Sequence, residues 1–134
     1  MKKCLYLLLI PIFLGISCQK EVIPENFVLG EEEDFKVGTE NKSAEYNVKF
    51  TITDVQDSRC PMDVECIWQG EAEVEIKFAS PFQETIVLST YDDLIDTVGN
   101  YSIKLLDVSP YPVSTETIKL EDYTIKLKIK SLED

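Results

Sequence analysis

The chain reads as all-β: a single antiparallel β-sandwich, immunoglobulin-like or barrel-like, with about six to eight strands. Three observations predict it. Apolar and polar residues alternate with period two in several separate runs, which places one face of each run in a core and the other in water. Gly, Pro, Asn and Ser interrupt the runs at short intervals, as turns between antiparallel strands require. No stretch carries the 3.6-residue apolar spacing of a substantial helix.

The elements follow in order. Asp34-Phe35-Lys36-Val37 alternates briefly. Gly38 to Ser43 is polar and reads as a turn. Tyr46 to Thr53 and Glu71 to Phe78 each alternate over eight residues. After the Ser80-Pro81 break, Phe82 to Leu88 reads as a further strand. Tyr91 to Val98 is the one place that could hold a helical turn. Beyond Gly99-Asn100, Tyr101 to Leu105 alternates, and then Leu106 and Val108 take over the apolar phase. That slip of one residue predicts a bulge or a second buried face. Ser109-Pro110-Tyr111-Pro112 cannot be a central strand, because proline lacks the N–H that a ladder needs. Tyr123 to Lys130 closes the chain with period two throughout. No repeat and no second domain is visible.

The start of the chain has a different grammar. Met1-Lys2-Lys3 precedes an apolar run from Leu5 to Gly15, followed by Ile16-Ser17-Cys18. A basic start, a short apolar core and small residues before a cut describe an export signal over residues 1–17. The run falls well short of the roughly 20 residues that span a bilayer. Leu14-Gly15-Ile16-Ser17-Cys18 resembles the lipobox of bacterial lipoproteins, with Leu14 four residues before the cysteine. The resemblance implies a diacylglyceryl thioether on Cys18, further acylation such as palmitate, and cleavage before Cys18. Acyl chains contribute about 0.8 kcal/mol per buried CH₂, so they would anchor the chain without a membrane helix. Gln19 in place of an aspartate favours the outer membrane, by the same resemblance. Gln19-Lys20-Glu21 is similar to the surface-export signal of Bacteroidetes lipoproteins, and also to any solvated linker. Residues 18–26 then form a lipidated tether, and 27–134 the β-domain.

Loss of Lys2 and Lys3 leaves eleven bases against 25 acids, a formal charge of −14. The sequence shows no run of clustered Lys and Arg, which argues against nucleic acid and against adsorption on anionic lipid. Partners are then the membrane, reached through Cys18, and an envelope protein or glycan.

Cys4 falls within the signal and Cys18 at the lipobox, so Cys60 and Cys66 remain. A leftover pair in an exported chain is most simply a disulfide. They sit in Asp57-Ser58-Arg59-Cys60-Pro61-Met62-Asp63-Val64-Glu65-Cys66-Ile67-Trp68-Gln69-Gly70, which joins two alternating strands and holds the only Arg and the only Trp. The DSRCP…CxWxG pattern, followed by an acidic alternating strand, resembles a family of small bacterial, Bacteroidetes-like lipoproteins and secreted domains. The resemblance covers residues 27–131 and implies no particular activity.

Each loop residue has a physical reading. Pro61 stiffens the turn. Arg59 is expected to pair with Asp57 or another acid and tie the loop to the sheet. Trp68 is expected to pack on the disulfide or cap the core. Gly70 suits a bulge or a positive φ. As a functional site the loop has three readings. A redox pair does not fit the spacing, and two cysteines with no histidine cannot supply the usual four zinc ligands. A binding loop stapled by its disulfide remains, beside a purely structural staple.

No histidine exists anywhere, which removes Ser-His-Asp and Cys-His catalysis. No residue is therefore assigned as catalytic, no cofactor is expected and no metal site is assigned. Glu31 to Asp34 and Asp92, Asp93 and Asp96 are acid clusters that match no ordered calcium loop. Tyr91, Tyr101, Tyr111 and Tyr123 could form a glycan platform, although Tyr101 and Tyr123 fit better as core residues at strand starts. The resulting expectation is a non-catalytic, lipid-anchored envelope module for binding or assembly. Its rivals are an extracellular protease inhibitor using the 60–66 loop and a carboxylate-dependent, glycan-acting enzyme.

Overall fold

A computed structural model describes residues 25–133. The export signal, Cys18 and the tether up to residue 24 lie outside the described residues. Nine strands form two packed sheets: β1 Glu25–Phe27, β2 Glu32–Lys36, β3 Glu40–Ser43, β4 Lys49–Asp57, β5 Ala72–Phe78, β6 Thr85–Ser89, β7 Ile95–Val98, β8 Tyr101–Ser109 and β9 Thr124–Ser131. One sheet has the order β1-β3-β4-β5-β6, and the other β2-β9-β8-β7. The fold is a β-sandwich. Every pairing is antiparallel except β1 with β3, which is parallel.

Period two explains the long strands. Ala72, Val74, Ile76 and Phe78 of β5 are buried, as are Ile125, Leu127 and Ile129 of β9, while the residues between them face outward. Phe27, Phe35 and Phe50 pack edge to face, with ring centroids 5.1–5.8 Å apart, and join the two sheets at one end of the core. Such pairs add about 0.5–1.5 kcal/mol each beyond area burial.

The expected slip in β8 is a bulge: its register against β9 shifts between Leu105 and Asp107, so Leu105 and Val108 both face inward. A second bulge, in β4 between Ile52 and Asp54, ended the visible alternation at Thr53. There the Asp54 carboxylate accepts the Val55 N–H at 2.9 Å. The strand therefore runs on to Asp57, and Tyr46 to Val48 belongs to the preceding bend.

Other boundaries also differ from the sequence reading. The polar stretch 38–43 contains β3, whose Asn41 and Ser43 are buried despite their polarity. Phe82 lies in the turn before β6, its N–H donating to Ala79 O at 3.2 Å, rather than in a strand. Residues 95–98 form edge strand β7, and the one helical turn among the described residues, a 3₁₀ turn, is Leu120–Asp122 instead. Short, polar or edge strands carry weak alternation, because tertiary pairing rather than local pattern makes them.

Candidate functional site

The strand directions bring three connections to one pole of the sandwich. These are the β4–β5 loop, the β6–β7 link and the β8–β9 link. The β4–β5 loop prolongs its hairpin: Ser58 N donates to Glu71 O and Cys60 N to Gln69 O, each at 2.8 Å. Beyond that, Cys60 and Cys66 are joined by a disulfide. In this bonded state neither sulfur is a free thiolate. Pro61 O accepts the Val64 N–H at 3.2 Å, which closes a tight turn inside the disulfide ring.

The base of the loop is a buried polar knot. Arg59 is only 8 % exposed. Its Nε and Nη2 donate to the two Asp57 carboxylate oxygens at 2.8 and 2.6 Å. Nη1 donates to Val108 O at 2.7 Å and Nη2 also to Pro110 O at 3.1 Å. The Tyr111 ring lies 4.6 Å from the guanidinium carbon, a cation–π contact. Asp57 also accepts the Arg59 N–H and the Tyr123 hydroxyl, at 3.1 and 3.0 Å. Asp57 ends a strand of one sheet, while Val108 and Tyr123 belong to or border strands of the other. The expected Arg59–Asp57 pair thus exists, and it clamps the two sheets at this pole as well as holding the loop.

The electrostatics follow from the geometry. Burial pushes the Asp57 carboxyl up, but the hydrogen bonds and charge of Arg59, with the Tyr123 hydroxyl, outweigh it and hold the carboxyl below its ordinary value. Burial pulls Arg59 down, and its bonds and attraction to Asp57 outweigh that, so the guanidinium is held still more firmly charged. Burial, reinforced by the bond and charge of Asp57, raises the Tyr123 phenol to about 12. These groups are locked to one another. The knot ties the loop to both sheets.

Gly70 has φ +66°, and a Cβ there would sit 1.9 Å from Ser58 O. Only glycine fits where the loop returns to the hairpin. The loop is also held from the side: Met62 N donates to Pro112 O at 3.1 Å, and Asp63 accepts the Ser114 N–H at 2.8 Å and its hydroxyl.

The tip is the reverse of the base. Ile67 is 93 % exposed, Trp68 81 % and Met62 66 %, with Val64 also exposed. Trp68 therefore does not cap the core, and at that exposure it is not packed against the disulfide either. Ile67 and Trp68 sit in the hairpin extension beyond the ends of β4 and β5, next to Gln69, whose carbonyl accepts the Cys60 N–H, and there they face water. Tyr91 and Leu94 on the β6–β7 link, and Tyr111 and Leu120 on the β8–β9 link, are exposed at the same pole. Eight of the thirteen exposed large apolar side chains of the described residues gather here. An open groove of about 320 Å³ runs beside the knot, bordered by Arg59, Gln69, Thr90, Leu94, Asp107 and Tyr111.

The remaining expected sites are not assembled. Tyr123 is buried, and Tyr101 lies at the opposite pole against Phe82, with ring centroids 5.8 Å apart, so the four tyrosines share no platform. Tyr91 is more exposed than Tyr111. Among the described residues no three Asp, Glu, Cys or His side chains converge as metal ligands. Lysines do cluster, contrary to the sequence expectation: Lys126, Lys128 and Lys130 alternate along the chain and so share one face of β9. Lys126 and Lys128 of β9 lie on the outer face, Lys128 directly opposite Lys104, with Lys130 next along that face. Glu32 and Asp34 of β2 stand opposite Lys128 and Lys126 on the other side, so the face is mixed in charge.

The display of Met62, Val64, Ile67 and Trp68 was missed in the sequence. Four large apolar residues stand within seven positions of this loop, but the first two fall in the tight Pro61–Val64 turn and none of the four lies in a paired strand. Among the described residues no helix is long and apolar enough to cross a membrane. A scan against protein-family models finds no match, and neither does a search of curated proteins or one of solved structures.

Proposed function

We propose that the protein is a non-catalytic, lipid-anchored module of the cell envelope, held on the outer membrane through Cys18, which binds through the pole around the 60–68 loop. The single observation that carries the binding reading is Ile67 and Trp68 held in water on a loop whose base is locked. Contiguous exposed apolar surface on a folded domain marks an interaction site, and tryptophan is among the residues that dominate binding energy. A rigid base lowers the ordering cost of engagement. Anchorage rests on the signal grammar and the lipobox resemblance at Cys18. The family resemblance of the DSRCP…CxWxG run fits the same reading.

The protease-inhibitor reading ranks second. The loop is exposed and stapled as an inhibitor loop must be. However, its centre is the tight Pro61–Val64 turn, not the extended backbone that enters a protease cleft. The enzyme reading ranks third. The groove by the knot borders one acid, Asp107. Asp54, Glu73 and Glu75 border only a second groove of about 150 Å³ on the outer sheet face. Ligand sites usually start near 300 Å³, and glycoside hydrolysis needs paired acids flanking a bound sugar.

The test combines two measurements. Intact-mass spectrometry of the membrane-extracted protein should show acyl mass on an amino-terminal Cys18. A photo-crosslinker at position 67 should capture a defined partner in native envelopes, with capture lost on Trp68→Glu. Absence of acyl mass ends the anchor reading, and an idle crosslinker in folded protein ends the binding reading.

A further inference from the structure

The tether enters the fold at the far end of the sheet from the exposed pole, at the level of Phe50, and is aimed back toward that pole. β1 is parallel to β3 and pairs Glu25 with Asn41, and Asn41 pairs with Phe50 of antiparallel β4. The amino end of β1 therefore points the way β4 runs, toward the 58–70 loop. From the level of Phe50 to Asp57 is seven residues, about 24 Å of strand. Cys18 is seven residues before Glu25, and seven residues reach at most about 25 Å. A fully extended tether can thus bring Cys18 back to the level of Asp57 at the base of the loop, and it is too short to let the domain stand far from the bilayer that holds the acyl chain.

We infer that the first partner of this pole is the bilayer itself: Ile67 and Trp68, with Met62 beside them, dip into the headgroup layer and fix how the domain stands on the membrane. The inference rests on the Cys18 anchor proposed above and names the partner of the same pole. Tryptophan beside aliphatic side chains is the composition that settles at a membrane interface. The apolar set belongs to this pole and not to its opposite, where Val28, Tyr46 and Leu132 are scattered. Anchoring by one lipid-modified residue leaves a domain free to tumble, and a second, apolar contact removes that freedom. The Asp63 carboxylate is already engaged by Ser114. Glu65, Asp92 and Asp93 remain near the pole, so contact with zwitterionic headgroups is favoured over contact with anionic ones.

Trp68 is the only tryptophan, so its fluorescence reports the contact directly. The probes are vesicles of phosphatidylcholine, with and without phosphatidylglycerol, and with brominated acyl chains. The mature chain carrying Cys18→Ser, and so without acyl chains, should show a blue-shifted, bromine-quenched Trp68 on phosphatidylcholine. Anionic lipid should weaken the binding. Ile67→Glu should cut partitioning at least about tenfold with an unchanged melting temperature. In the native acylated chain on the same vesicles, Trp68 should be shielded from aqueous iodide and quenched by bromine. If that chain floats with the vesicles while Trp68 stays open to iodide and unquenched, the inference falls and the anchor stands. A crosslinker at position 67 that captures protein and no lipid in native envelopes assigns the pole to a protein partner and also overturns it. Missing acyl mass strikes the anchor alone, because the Cys18→Ser chain reads the pole without it.

Discussion

The two halves of the 58–70 loop obey opposite rules. At the base, Arg59, Asp57 and Gly70 are packed, bonded and sterically committed. At the tip, eight and nine residues after Arg59, Ile67 and Trp68 touch little of their own protein. A buried charge is tolerable only when its partners are complete, so the base is bound by strict geometry. An exposed apolar side chain carries no such constraint and is kept in place by the base beneath it. The lesson is that one distinctive motif can hold two opposite surroundings side by side, its charged residues buried and bonded and its large apolar residues in water.

Substitutions should separate the halves, and the largest effects belong to the base. Arg59→Ala or Asp57→Asn leaves a buried partner uncompensated and should cost about 3 kcal/mol, measured by denaturant unfolding. A loss below about 1 kcal/mol would mean that water reaches the knot and that the clamp between sheets is weak. Gly70→Ala meets Ser58 O and an unfavourable φ and should cost about 2 kcal/mol or more. Reduction of Cys60–Cys66 closes no long loop and should lower stability by about 2 kcal/mol on the chain-entropy estimate. Ile67→Ala and Trp68→Ala should change stability by less than about 0.5 kcal/mol. A larger loss at Trp68 would abolish the contrast, since it would make the tip part of the fold.

Acid and alkali sharpen the same comparison. The folded Asp57 carboxyl lies below its ordinary value, so its stabilisation is present above the usual carboxylate pKa of about 3.9 and is lost as pH falls through the folded value. The folded Tyr123 phenol lies above its ordinary value, near 12, so its contribution is intact below about pH 10 and is lost as pH rises toward 12. Melting temperature against pH should therefore fall at both ends. The Asp57→Asn chain, less stable throughout, should show a shallower acid limb, and Tyr123→Phe a shallower alkaline one. Trp68→Ala should leave both limbs as they are.

Much of the fold was legible because period-two alternation is local. β5 and β9 follow their runs closely, and the β8 slip was visible as a change of phase at Leu106. β3 was not legible, because Asn41 and Ser43 occupy its buried positions. Asn41 Oδ1 has no hydrogen-bond partner there, a conflict that no reading of alternation would choose. β7 was hidden for a related reason: it is an edge strand with one buried residue, Val98. In the candidate site, Arg59–Asp57 and the Gly70 conformation were readable from neighbours in the chain. The position of Trp68 was not, because spacing from Cys66 does not say whether the loop folds back onto the core or extends beyond the strands.

By itself the sequence determined the β-class, the inward face of each long strand, the main breaks and the cysteine pair. All of these depend on residues near one another in the chain, through backbone geometry that repeats every two residues. The tertiary structure alone decided the rest. Arg59 finds its carbonyl partners 49 and 51 residues away, at Val108 and Pro110, through the packing of one sheet on the other. The same strand directions carry three separate connections to one pole and aim the amino end of β1, which lies near the other, toward it. No local pattern encodes that convergence, because it arises from strand order and register, which are settled only when distant segments pair.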